Sequence, residues 1–204
     1  LYNQVNPLVR VKEGELLTKA QWEQIENASS LDALRAILSS TFYADLVKEK
    51  DYADYFMDGL EDKRSEFFSW AYEVAPEKEL VDIYTLRYTF HNLKALTKGQ
   101  LTGRNLDYLY VPDGRIEMSV MKSAIASQKS SLLPDYLMEG ILEVLDYFEE
   151  GNILQGIDII YDRLYLTRIK ALSIKLGYPE LLENVEGFID LSNIGIMNRG
   201  IIQQ

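Results

Sequence analysis

Two stretches of this chain, set side by side, decide how it folds: Tyr88-Thr-Phe-His-Asn92-Leu-Lys-Ala-Leu-Thr-Lys98-Gly99 and Ile189-Asp-Leu-Ser-Asn193-Ile-Gly-Ile-Met-Asn-Arg199-Gly200. They align without gaps, Asn92 on Asn193, Lys98 on Arg199 and Gly99 on Gly200, at a constant offset of 101 residues. Ser29-Ser30-Leu31 falls on Ser130-Ser131-Leu132 at the same offset. Agreement of two separate blocks at one offset points to an internal duplication. From Asn to base is six residues, nearly two helical turns of about 3.6 residues each. The base then lies near a helix C-terminus, where the negative end of the helix dipole favours a cation.

Outward from these blocks the chain reads as helix almost throughout. Thr18 with Gln21 three residues later forms a capping box ahead of Trp22 and Ile25. Ser29 precedes Leu31, Leu34, Ile37 and Leu38, apolar residues at helical spacing. A long helix is predicted from about Asp51, carrying Phe56, Leu60, Phe67 and Trp70 and ended by Pro76. Pro76 suits the first turn of the next helix, which carries Leu86, Phe90 and Leu93 and stops near Gly103. The second half repeats the plan: a helix over 116–126, one opened by Pro134 and broken at Gly151-Asn152, one through Ile153, Ile157, Ile160 and Leu164 to Gly177, and a last one opened by Pro179. Alternating strand patterns are scarce, and the best of them, Tyr108 to Val111, is short. The fold class is therefore all-α, with two helical repeat units, 1–108 and 109–204. Leu1 is not a methionine, and Ile201-Ile202-Gln203-Gln204 carries no helix cap. The chain is expected to be cut from a longer one.

Composition narrows the function classes. Hydrophobic residues make up 47% of the 204, enough for a packed core. The formal charge of −11 repels phosphate backbones and anionic head groups, and no Lys/Arg cluster is large enough to override it, so nucleic acid is a poor partner. No run approaches the roughly 20 apolar residues of a membrane span, so direct membrane insertion is not expected. The absence of cysteine removes disulfides, thiolate nucleophiles and cysteine metal sites together.

Catalytic patterns are thin. His91 is the single histidine and lacks an acid or nucleophile at helical spacing, so a structural or surface role is expected. Asp51, Asp54 and Asp58, with Glu61 and Asp62, share a helix face that could hold Mg²⁺ and a diphosphate. Lys48, Lys50, Lys63 and Arg64 surround that run, which favours a solvated helix face. There is no phosphate-cradling glycine loop, since Gly99 and Gly103 lack the Lys-Ser/Thr that would follow. No cofactor and no metal is expected. Arg163 and Lys170 are seven apart on one face, as are Arg168 and Lys175. They form either a protein-contact stripe or the wet side of an amphipathic helix, and the second reading is favoured. For Asn92 and Asn193 the favoured reading is structural, the amide bonding a neighbouring helix end while Lys98 and Arg199 reach water.

The segment from Tyr2-Asn3 to Arg10-Val11, followed by Gly14-Glu15-Leu16-Leu17, resembles the start of the C subunit of the V/A-type rotary ATPases, called the d subunit in eukaryotes. His91-Asn92-Leu93-Lys94-Ala95-Leu96, then Lys98 and Thr102-Gly103-Arg104, is similar to that family's first internal signature. At the second, Asp190, Asn193 and Arg199 supply the family's acid, Asn and base, whereas Thr89 stands where the first signature has its acid. The resemblance runs the whole length of the chain and implies two of three helical units in a pseudo-threefold funnel, with about a third of the parent protein beyond the C-terminal side. It further implies a rotor coupling subunit that hydrolyses nothing. Such a protein is peripheral on the cytoplasmic face of the membrane, links the central-axle subunits to the membrane rotor ring, and passes torque between them. A helical-repeat adaptor of soluble partners is the alternative, and an Mg²⁺-dependent helical enzyme a weaker one.

Overall fold

In the computed structural model the described residues are 2–151 and 153–202, with the side chains of 199–202 outside the description. Among the described residues every regular element is a helix: α1 (Val5–Glu13), α2 (Lys19–Glu26), α3 (Leu31–Leu38), α4 (Tyr52–Val74), α5 (Lys78–Thr102), α6 (Met118–Ser127), α7 (Asp135–Gly151), α8 (Leu154–Leu176) and α9 (Pro179–Ile202). Short 3-10 turns occupy Ala44–Val47, Asp107–Leu109 and Pro112–Gly114. The all-α expectation therefore holds, and the short strand pattern at Tyr108–Val111 becomes a 3-10 turn followed by extended backbone.

Local chemistry accounts for several of the helix ends. Thr18 accepts from the Gln21 backbone N–H while the Gln21 side chain accepts from the Thr18 N–H, completing the capping box of α2. The cap of α3 is Ser30, one residue later than the sequence suggested, because its Oγ is the one that accepts from Ala33 N–H. Helices α5 and α8 stop at Gly103 and Gly177, both in the left-handed region (φ 67° and 73°) where a Cβ would be strained. Pro76 lies two residues before α5 and not in its first turn; Glu77, in extended conformation, is the cap position.

The contacts divide the chain into two compact units, Leu1–Pro76 and Glu77–Gln204. This division by packing falls at a different place from 108/109, which was drawn on sequence similarity. In the first unit Leu38, Val47 and Tyr52 form a small core with Ile25, Leu34, Tyr43 and Phe56 around it, and the Tyr52 hydroxyl donates to Leu31 O at 2.8 Å. The second unit holds the larger core. Its centre is α8, packed against α5, α7 and α9, while α5 also receives α6 and both turns between 107 and 114. Phe90, Leu93, Met121, Ile125, Leu137, Ile141, Val144, Ile157 and Tyr161 are buried there. At about 1.5–3 kcal/mol for each large apolar side chain removed from water, this burial is the dominant stabilising contribution.

The helix boundaries carry the 101-residue offset of the sequence. Moved by 101, α4 spans 153–175 against Leu154–Leu176 for α8, and α5 spans 179–203 against Pro179–Ile202 for α9. Helix α2 moves to 120–127, against Met118–Ser127 for α6. The correspondence is loosest for α3, which moves to 132–139 while α7 runs on to Gly151. Where α7 continues, the earlier stretch after Leu38 turns and forms the 3-10 segment Ala44–Val47.

Candidate functional site

The first signature lies on α5, and its residues serve two different neighbours. Asn92 is fully buried, and its amide meets a single residue: Nδ2 donates to Val111 O at 2.7 Å and the Val111 N–H donates to Oδ1 at 2.8 Å. The side chain thus acts as one rung of a sheet would, meeting both backbone groups of Val111, whose carbonyl also receives the Gly114 N–H at 3.4 Å. One turn back, Thr89 Oγ1 donates to Gly114 O at 2.6 Å, and His91 Nε2 lies 2.8 Å from Leu109 O. Gly114 is required by this approach, since a Cβ there would stand 2.9 Å from Asn92 Nδ2 and 3.0 Å from Thr89 N. The sequence had suggested a neighbouring helix end as the partner of Asn92; the partner is this loop.

The other face of the signature meets α8. Lys94 Nζ lies 2.5 Å from Asp162 Oδ1, and Lys98 Nζ lies 2.7 and 2.6 Å from the two oxygens of Asp158. Between them the hydroxyls of Thr97 and Tyr161 meet at 3.0 Å, both fully buried. Burial pushes the Tyr161 hydroxyl well above the ordinary tyrosine range, and the Thr97 contact only partly offsets that. Lys98 does not extend into water as expected, because Asp158 stands within reach on the facing helix. Both ion pairs are about a quarter to a half exposed, so each contributes at most about 1 kcal/mol and chiefly sets the register of α5 on α8. Gly99 allows the chain to turn back closely: the Arg104 N–H donates to its carbonyl, and a Cβ at 99 would stand 3.0 Å from Arg104 O.

At the second signature the same residue types stand in a different environment. Asp190 and Asn193 on α9 are exposed, and the side chains of Arg199 and Gly200 lie outside the described residues. Asn193 borders a groove of about 710 Å³ between α8 and α9, walled by Ile159, Leu166, Ile189 and Ile196 with Asp158, Asp162 and Lys170 at its edges.

Each member of the basic set on α8 has a different neighbour within the fold. Arg163 pairs with Glu143 on α7, Lys170 with Glu186 on α9 at 2.9 Å, and Lys175 with Glu79 on α5 at 2.9 Å. Arg168 stacks 4.2 Å from the centre of the Tyr136 ring, a cation–π contact. The Lys175 hydrogen bond is the main reason that the Glu79 carboxyl titrates below its ordinary range. Asp51, Asp54 and Asp58 are exposed on or beside α4, and among the described residues no three acids or histidines converge as metal ligands would.

Sequence reasoning missed Asp158, Asp162, Tyr161, Thr97 and Gly114 as partners of the signature. A signal was there: Lys94 and Lys98 are four apart, as are Asp158 and Asp162, giving two complementary i, i+4 charge pairs. Only the helix register shows that they face each other.

Known proteins share this arrangement of sequence. A family profile described as ATP synthase (C/AC39) subunit matches residues 5–204. The C subunit of the V-type sodium ATPase of Enterococcus hirae is 51% identical over 202 residues, 99% of this chain and 61% of that protein. The C subunit of the A-type ATP synthase of Methanocaldococcus jannaschii is 22% identical over 222 aligned positions, 98% of this chain and 54% of its own length. The chain thus spans a little over half the length of the curated relatives it matches. Among the described residues no helix is long and apolar enough to cross a membrane.

Proposed function

Since the chain belongs to the ATP synthase (C/AC39) subunit family, we propose that the protein containing it is a non-catalytic coupling subunit of the rotor of a V/A-type ATPase. It joins the central-axle subunits to the membrane ring, sits peripherally on the cytoplasmic face, and carries torque between the two. The observation that supports this reading best is the clasp between α5 and α8. Lys94–Asp162, Thr97–Tyr161 and Lys98–Asp158 fasten two long helices along a full turn, with Phe90, Leu93 and Leu96 buried alongside. Close-packed helices with a fixed register resist sliding and transmit strain, which is what a part that passes torque needs. The signature residues Asn92, Lys98 and Gly99, and Asp190, Asn193, Arg199 and Gly200 by equivalence, are structural in this reading and touch no substrate.

The two repeat units, 1–108 and 109–204, belong to the same proposal. The coincidence of α4 with α8 and of α5 with α9 at an offset of 101 supports a duplication.

The test is recovery of partners by the full-length protein. Immobilised, it is expected to retain the axle subunits and, separately, the detergent-extracted ring of the same ATPase. Retention of neither overturns the proposal. An ATPase rebuilt without this protein is expected to hydrolyse ATP without moving ions.

A further inference from the structure

The duplication sets two equivalent helices in opposite surroundings. On α5, Phe90, Leu93 and Leu96 are buried, covered by α8 and the 107–114 loop. Their equivalents on α9 are Leu191, Ile194 and Met197, which are 71, 53 and 65% exposed. Three large apolar side chains along one helix face, beside a groove lined by Ile159, Leu166 and Ile196, make a contiguous patch of a kind that soluble surfaces rarely leave open. Asn193, the counterpart of the amide that clasps Val111, lines that groove at the edge of the patch.

We propose that Asn193 is a docking residue. Its side-chain amide holds one backbone peptide of the polypeptide that follows residue 204 in the longer protein, and that polypeptide buries Leu191, Ile194 and Met197. The occupant is argued from two observations. Both curated relatives extend well beyond the length matched here. And the loop that meets Asn92 is the one that follows α5 directly, residues 107–114, while α8 comes later, so by the 101-residue offset both equivalents lie past 204. The chemistry of the partner is also specified. Thr89 donates to the carbonyl of Gly114, whereas Asp190, its equivalent, is a carboxylate that can only accept. The incoming loop therefore presents an N–H or a hydroxyl to Asp190 where the 107–114 loop presents a carbonyl to Thr89. This inference rests on the duplication proposed above and not on the rotor role.

Methionine oxidation in the full-length protein tests it, because the chain carries its own references. Met57 and Met197 are 66 and 65% exposed here, and Met121 is fully buried. With hydroxyl-radical footprinting of the monomeric full-length protein, Met197 is expected to oxidise on the order of tenfold more slowly than Met57, near the floor set by Met121, since susceptibility follows exposure. Asn193→Ala is expected to raise Met197 oxidation and leave Met57 and Met121 unchanged. Equal rates at Met57 and Met197 overturn the proposal, as does protection of Met197 that disappears on dilution, which would make a second copy the occupant. Protection unchanged by Asn193→Ala removes Asn193 from the role. Should that variant unfold, Met121 would report it, and the wild-type ratio of Met197 to Met57 still decides.

Discussion

Thr97 and Tyr161, 64 positions apart in the chain, bring their hydroxyls to 3.0 Å at the centre of the contact between α5 and α8. Each is fully buried, so neither has water to fall back on. A buried hydroxyl stripped of its partner loses about 1–3 kcal/mol, more than the net gain from making the bond. The pair therefore selects the register of the two helices, because any axial slip would leave two polar groups unsatisfied.

Tyr161→Phe is expected to destabilise the protein by about 1 kcal/mol in urea unfolding at neutral pH, through the orphaned Thr97 hydroxyl. The alkaline limb carries a second signature. Burial raises the folded-state pKa of Tyr161 above its ordinary value of about 10, so folding favours the protonated phenol. That contribution is complete below pH 10 and is lost as pH rises through and above it. Wild type should lose more stability between pH 9 and 11 than Tyr161→Phe does (roughly a unit either side of the ordinary tyrosine value). Parallel curves would contradict the assignment.

Asn92→Ala leaves the Val111 N–H without its partner and its carbonyl with only the longer bond from the Gly114 N–H. A loss of about 1–3 kcal/mol is expected, with faster amide exchange across 107–114. Asn92→Asp keeps the acceptor but turns a carboxylate oxygen towards the Val111 carbonyl. Its pKa should rise on folding, and part of the lost stability should return as pH falls and the protonated acid donates again. Titration of the variant's unfolding midpoint from pH 7 downwards measures this.

Thr89→Asp should cost more than Thr89→Ser, although aspartate is the residue at the equivalent position 190. The Thr89 hydroxyl donates to Gly114 O from a buried position, and an ionised carboxylate would face that carbonyl with no proton to give. Serine retains the donor and loses only a methyl group, about 0.8 kcal/mol. Calorimetric melting of the two variants separates them, and equal melting temperatures would remove the donor role of Thr89.

The Glu79–Lys175 pair gives an acid-side prediction of smaller size. The Lys175 hydrogen bond lowers the folded-state pKa of Glu79, so its contribution is present above the ordinary glutamate value and fades as pH drops through the lowered one. Both groups are largely exposed, so the effect should be a fraction of 1 kcal/mol and should shrink in salt. The melting difference between wild type and Glu79→Gln is expected to vanish in molar salt, or once the pH has fallen below the lowered folded-state value.

How much of this was legible beforehand follows from the range of the interactions involved. Capping at Thr18, the breaks at Gly103 and Gly177, and the helical spacing of apolar residues depend on residues within a turn or two. The order and approximate bounds of α2 to α9 could therefore be read from the chain, whereas α1, which carries no side-chain cap, was not. The placement of the cap at Ser30 and the 3-10 turn at Asp107–Leu109 differed by a residue or a pattern, because several adjacent residues offered the same local chemistry. The duplicated signature could be read too, but its meaning could not. Asn92 and Asn193 are the same residue in similar local sequence, one sealed inside by Val111 and the other exposed beside a groove.

By itself, then, the sequence determined the all-helical class and, through the signatures, the family, and it carries the 101-residue correspondence on which the duplication is proposed. The tertiary structure alone decided which residues the signature grips: Val111 and Gly114 on one side, Asp158, Tyr161 and Asp162 on the other. The physical reason is that periodicity and capping are short-range. The pairing of buried donors with acceptors depends instead on how distant segments are brought together, and that is fixed only when the apolar faces of whole helices pack.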